Sequence, residues 1–182
     1  MKLCIDPGHG FSNARPGRYD SGACSSGICE ADIVLSWALT LKWVCSQRKI
    51  ATFLTRDDDR DADPVGSRDD RAEVAGCTHF LSLHCNSTDD SRVRGVEAFY
   101  RSHQDRDWAE KALFAAVQAM ESTNRGLKTE GSSQHSRLAV FEFDGPCTLV
   151  ELGFITNSKD RSKLLSRDAR LTFANSFLDR IR

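Results

Sequence analysis

Residues 80–87 read FLSLHCNS, an apolar alternation that ends on His84. Two further stretches share this form. Residues 3–10, LCIDPGHG, run through apolar side chains into a Pro7-Gly8 turn and present His9. Residues 149–154, LVELGF, carry Glu151 between hydrophobic neighbours. Each reads as a buried strand delivering one reactive side chain at its C-terminal end. In open α/β sheets that edge is where ligands bind.

The segments between these strands follow helical and turn patterns. Val34, Trp37, Ala38, Leu41 and Cys45 recur at helical spacing over residues 30–48. Residues 50–55, IATFLT, and 95–100, GVEAFY, read as strands. Ser67 is placed to cap a helix over 68–75, and Leu113, Ala116, Val117 and Met120 define one over 104–121. Residues 122–137 read as a polar loop and 138–143 as a short strand. Asn157 or Ser158 opens a short helix. A closing helix over 167–182 would turn Leu171, Ala174, Leu178 and Ile181 inward. The alternation predicts a single α/β domain spanning 1–182, with a twisted, mostly parallel central sheet flanked by helices. Its active site falls at the C-terminal strand edge.

Composition removes several function classes. The 25 basic and 26 acidic residues leave a formal net charge of −1, which gives no electrostatic drive toward nucleic acid or an anionic membrane surface. No apolar run approaches the roughly 20 residues a spanning helix needs. Met1 and Lys2 lead straight into the first strand, so cytosolic synthesis without a signal peptide is expected. Seven cysteines without a CxxC pair argue against a cysteine-rich zinc knuckle or a full disulfide framework. Cys24 and Cys29 flank a short SSGI loop and could bridge, although no oxidising address favours it.

The chemistry concentrates at the strand ends. Two imidazoles and a carboxylate on one sheet edge point to a metal-assisted hydrolase. Glu30, opening the helix EADIVL, would add a hard oxygen ligand to His9 and His84 and leave one position open for water. Glu30 and Asp32 also complement the helix dipole, and Asp32 competes as a ligand. A carboxylate within a hydrophobic strand is costly unless paired or functional, so Glu151 reads as a general base with a raised pKa. Other features read as ordinary. The acidic run from Asp57 to Asp63 has Ala62 where a calcium loop needs glycine and Arg68 where it needs a bidentate glutamate. His79 falls at the far end of its strand, and His103 and His135 lie in polar surroundings.

DPGHG, EADIVL, SLHCN and LVELGFITN occur in this order at compatible spacings, and together they resemble the zinc-dependent N-acetylmuramoyl-L-alanine amidases of the Amidase_3 type. The resemblance covers essentially the whole chain. It implies that His9, Glu30 and His84 bind one Zn2+ and that Glu151 is catalytic. It implies a site-supporting role for Arg71, and a role for Asn86 in orienting His84 or the substrate. The family usually has alanine where Cys85 stands. The implied substrate is peptidoglycan, cut by a monomer without stable membrane association. A leaderless catalytic domain without wall-binding repeats or a plugging helix resembles a phage or prophage endolysin, released to the wall by a holin. Three alternatives share these motifs: a zinc peptidase on the stem peptide, a cytosolic muropeptide-recycling amidase, and a non-catalytic wall-binding module.

Overall fold

The computed structural model describes residues 1–11, 18–58, 64–133 and 136–181. In chain order the elements are β1 (Lys2–Pro7), β2 (Gly10–Phe11), β3 (Tyr19–Asp20), β4 (Cys24–Ser25), β5 (Ile28–Cys29), α1 (Glu30–Gln47) and β6 (Ala51–Leu54). There follow α2 (Arg68–Val74), β7 (His79–Asn86), β8 (Val96–Tyr100), α3 (His103–Met120), β9 (Asn124–Thr129), β10 (Cys147–Phe154), α4 (Ser158–Leu164) and α5 (Arg167–Arg180). Six strands form one sheet in the order β6-β1-β7-β10-β8-β9. Every neighbouring pair is parallel except β10 with β8. This is the mostly parallel, helix-flanked α/β sheet expected from the strand and helix alternation.

Strand periodicity sorts the side chains into two faces. Leu3, Ile5, Leu81, Leu83, Val150 and Leu152 point into the larger core, beneath α1, α3 and α5. Trp37 on α1 packs on Phe173 with ring centroids 5.5 Å apart, and its indole N–H donates to the Leu164 carbonyl at 2.8 Å. Trp108 on α3 meets Phe177 at 5.0 Å. These two indoles explain a difference in α5. Phe173 and Phe177 are fully buried, while Leu171 and Ile181 sit only at the core margin. The opposite face buries Cys4, Phe80, Phe99, Cys147 and Leu149 under α2 and a short 3-10 turn at Ala139–Glu142.

That turn replaces the strand expected at 138–143; it folds back so that Val140, Phe141 and Phe143 pack as a lid on Phe80 and Cys147. The segment expected as a loop contains β9, which pairs with β8 through its backbone despite its polar sequence NRGLKT. Two caps are specified locally. Ser102 and Asp105 make a reciprocal capping box at α3, and Asn157 rather than Ser158 caps α4, accepting from the amides of Lys159 and Asp160. Ser67 stands at the start of α2, but its hydroxyl donates to the Pro64 carbonyl. No helix among the described residues is long and apolar enough to cross a membrane.

The face beneath α2 also carries a buried polar knot. Asp6 is fully buried and accepts from Thr55 Oγ1 at 2.6 Å, Ser82 Oγ at 2.5 Å and Arg68 Nη1 at 2.8 Å. Burial alone would raise the Asp6 pKa, but the Arg68 guanidinium and the two hydroxyls hold it below the usual carboxylate value. Asp6→Ala removes the counter-charge from a buried arginine and is expected to cost about 3–5 kcal/mol in urea unfolding. Because the folded pKa is depressed, this stabilisation is complete above the unfolded value and is lost as pH falls through the folded one. The gap between wild type and Asp6→Ala should therefore narrow only below about pH 4. A gap that stays constant into stronger acid would contradict the assignment.

Candidate metal centre

Sheet register builds the site. His84 on β7 lies beside Glu151 on β10, and Glu151 lies beside Glu97 on β8. Paired residues on adjacent strands share a face, so these three side chains form a row across the sheet. They line an open cleft of about 660 Å³, together with His9 and Glu30.

His9 arrives from the turn after β1, where its own φ is +62°, in the sparsely populated left-handed region. Arg68 holds this turn by donating to the His9 carbonyl at 2.6 Å and the Pro7 carbonyl at 3.1 Å. Glu30 opens α1. Its Oε1 lies 3.0 Å from both His9 Nε2 and His84 Nδ1 and accepts from the Cys85 amide at 2.8 Å. Its Oε2 accepts from the Ala23 amide at 3.0 Å. On its outer side, His9 Nδ1 donates to Asp20 Oδ2 at 3.0 Å, which turns Nε2 toward Glu30. Two glycines make room. A Cβ on Gly8 would lie too close to His84 Cε1 and Nε2 to be accommodated. One on Gly22, which has a φ of +63°, would lie 2.6 Å from Glu30 Oε2 and 2.7 Å from His9 Cδ2.

Disulfide-bonded Cys24 and Cys29 close the β4–β5 hairpin directly before Glu30, so the bridge left open at the sequence level is present. Asp32, the competing carboxylate, is exposed on α1 and takes no part.

The ligand atoms of His9, Glu30 and His84 all lie within 4.8 Å of one another. Among the described residues this is the one group of three such side chains suited to an ion. The donor set of two imidazoles and one carboxylate fits a divalent cation of the zinc class. The same proximity couples the charges of His9 and Glu30. Burial disfavours the His9 cation, yet Glu30 and Asp20 outweigh it and raise the His9 pKa to about 9. Burial also opposes the Glu30 charge, but His84 and His9 hold its carboxyl well below the usual range.

Glu151 is different. Burial, with the charges of Glu30 and Glu97 nearby, pushes its pKa well above the normal carboxylate value. Its Oε2 is buried and has no hydrogen-bond partner among the described residues.

The structure separates the two supporting residues. Asn86 lines the cleft, but its Nδ2 donates to Glu97 Oε1 at 2.9 Å rather than serving His84. Arg71 is not among the residues lining the cleft; its guanidinium lies 5.9 Å from the centre of the Phe53 ring. Arg68, one helical turn earlier, reaches the His9 turn, and so does Arg56, which donates to the Pro7 carbonyl at 3.0 Å and the Gly8 carbonyl at 2.9 Å. Sequence reasoning also missed Asp20 and Glu97. Glu97 carried a readable signal, since GVEAFY places a carboxylate in phase with the buried Phe99. Asp20 gave none within its glycine- and serine-rich surroundings. His79 packs on Trp108 with the ring centroids 4.7 Å apart and does not line the cleft. His135 and residues 59–63 of the acidic run lie outside the described residues.

Residues 3–182 match the Amidase_3 family, described as N-acetylmuramoyl-L-alanine amidase. The chain is 30% identical over 163 residues to N-acetylmuramoyl-L-alanine amidase LytC of Bacillus subtilis (strain 168), covering 89% of this chain and 31% of that protein. It is 30% identical over 174 residues to the endolysin of Bacillus phage SPP1, covering 92% of this chain and 59% of that one. It thus spans about a third and three fifths of the lengths of these two relatives. Among solved structures, the catalytic domain of CwlV from Bacillus (Paenibacillus) polymyxa var. colistinus superposes with a TM-score of 0.83 at 28% identity, covering 100% of this chain and 96% of that one.

Proposed function

This chain belongs to the Amidase_3 family, and from that premise we propose that it hydrolyses the amide joining the lactyl group of N-acetylmuramic acid to L-alanine in peptidoglycan. The observation that carries the reading is the Oε2 of Glu151, unpartnered among the described residues, whose strand position lies beside that of His84 in the three-ligand group. His9, Glu30 and His84 would hold one Zn2+. When bound, such an ion polarises the amide carbonyl and acidifies water.

The chain's own groups supply the proton traffic and the alignment. Glu151 takes a proton from the attacking water as its oxygen adds to the amide carbon. The same carboxyl then donates that proton to the alanine nitrogen as the C–N bond breaks. A carboxyl whose pKa burial raises well above the ordinary carboxylate value holds a transferred proton more readily than an exposed one. Asp20 fixes the tautomer and orientation of His9, and Gly8, lacking a Cβ, lets the His84 ring approach the turn closely. The likeness to a phage endolysin supports action on the intact wall during lysis.

The test is a digest of purified peptidoglycan with and without a chelator, read by mass spectrometry. Free peptides beginning with L-alanine, lost on chelation and restored by zinc, are the expected products. Shortened peptides still joined to glycan would mean a peptidase instead. No soluble product would favour a wall-binding module or a soluble muropeptide substrate.

A further inference from the structure

The row His84, Glu151, Glu97 continues past the reaction centre into a basic wall. Glu97 is buried, and its Oε2 accepts from Arg125 Nε at 2.6 Å and Lys128 Nζ at 2.7 Å. Its Oε1 is taken by Asn86. Glu97 is the one carboxylate that pairs with these two cations among the described residues; the adjacent Glu151 makes no ion pair with either, so one carboxylate is shared between two cations. Burial works against ionised Glu97, but Lys128 and Arg125 overcome it and keep its pKa low, so the carboxylate does not discharge. Both cations remain about a third exposed, Arg125 at 32% and Lys128 at 30%, and both line the cleft. The Arg125 guanidinium lies over the Phe154 ring at 5.0 Å, which holds its plane. Ser133, whose buried hydroxyl has no partner among the described residues, lines the same cleft.

We infer that Arg125 and Lys128 form a carboxylate-binding subsite that reads an acidic residue of the peptide released by the reaction. The inference rests on the amidase reading and names a selectivity within it. Two strand spacings separate Glu97 from His84, roughly 10 Å across the sheet. An extended peptide covers that span in about three residues at ~3.3–3.6 Å each. The recognised carboxylate therefore sits on the second or third residue beyond the scissile amide. A carboxamide at that place removes the charge that these two cations attract.

Calorimetric binding of synthetic peptides beginning with L-alanine tests this without relying on catalysis. One peptide carries a carboxylate on its second residue only, one on its third only, and one has carboxamides at both. The subsite predicts about 10-fold tighter binding of one acidic peptide than of the neutral one, the order expected for a charge-assisted hydrogen bond. The arm that shows the gain identifies the residue read. Lys128→Gln, which leaves Arg125 to neutralise Glu97, should abolish the preference. Glu97→Gln should enlarge it by releasing both cations, an opposite shift that a purely structural role would not produce. Equal affinities for all three peptides, or a preference unchanged in Lys128→Gln, would overturn the inference. Matched muropeptides cleaved at equal rates would do the same. Muropeptides left uncut by a protein that still prefers the acidic peptide would instead refute the amidase reading and leave the subsite standing.

Discussion

Glu151→Gln is expected to lower peptidoglycan hydrolysis by about 100- to 10,000-fold, the span that a positioned general acid–base contributes. Metal content should stay at the wild-type level, because the three-ligand group does not include this side chain. The substitution keeps the shape of the side chain and removes only its ability to ionise. Stability should shift in a defined direction as well. The folded pKa of Glu151 is raised well above the unfolded value, so between the two the folded state holds a proton that the unfolded state has released. Metal-free wild-type protein therefore loses stability as pH climbs above about 4.3. That component of the slope is absent from Glu151→Gln. Urea unfolding of both proteins across this range, beside a rate measurement at neutral pH, checks the pair of outcomes. Wild-type turnover by the variant would remove Glu151 from the mechanism.

His84→Ala should have the largest effect on metal retention. The neighbouring groups that only orient a ligand, as Asp20 orients His9, are worth about 10–100-fold in affinity each. Removing a ligand outright costs more, so after dialysis the variant should hold less than about a tenth of the wild-type zinc. The ring also fills the space against Gly8, where a Cβ would not fit, so alanine leaves a void there. His84→Asn retains more of that volume, and the same loss of zinc in both variants separates ligation from packing. Full occupancy, measured by elemental analysis of folded protein, would exclude His84 from the ligand set.

Much of this architecture was legible because the reactive groups interrupt hydrophobic runs. His9, His84 and Glu151 each end or break a stretch that has no other reason to carry a polar side chain, and strand phase then puts His84 and Glu151 on one face. What escaped is of a different kind. Strand β9 has few strand-forming residues and a glycine at positive φ, and it exists because the edge of β8 offers unpaired backbone groups. Arg68 and Arg71 stand three positions apart on one short helix, and nothing local tells which one reaches the His9 turn; only the packing of α2 over Asp6 decides it. Arg125 and Lys128 gained their meaning from Glu97, a partner about thirty positions earlier in the chain. The Ala139–Glu142 turn has the apolar content of a strand, but its Val140 and Phe141 pack in the cluster around Phe80.

The Cys24–Cys29 bond spans the tight turn directly before Glu30. A peptide bond cut anywhere between the two sulfurs would leave both new ends tied together. The mutual hydrogen bonds between Ala23 and Glu30 would then persist across the break. A protease acting on that exposed hairpin tip would nick the chain without dislodging the carboxylate next to it, and the damage would show on a reducing gel before it showed in any property of the cleft.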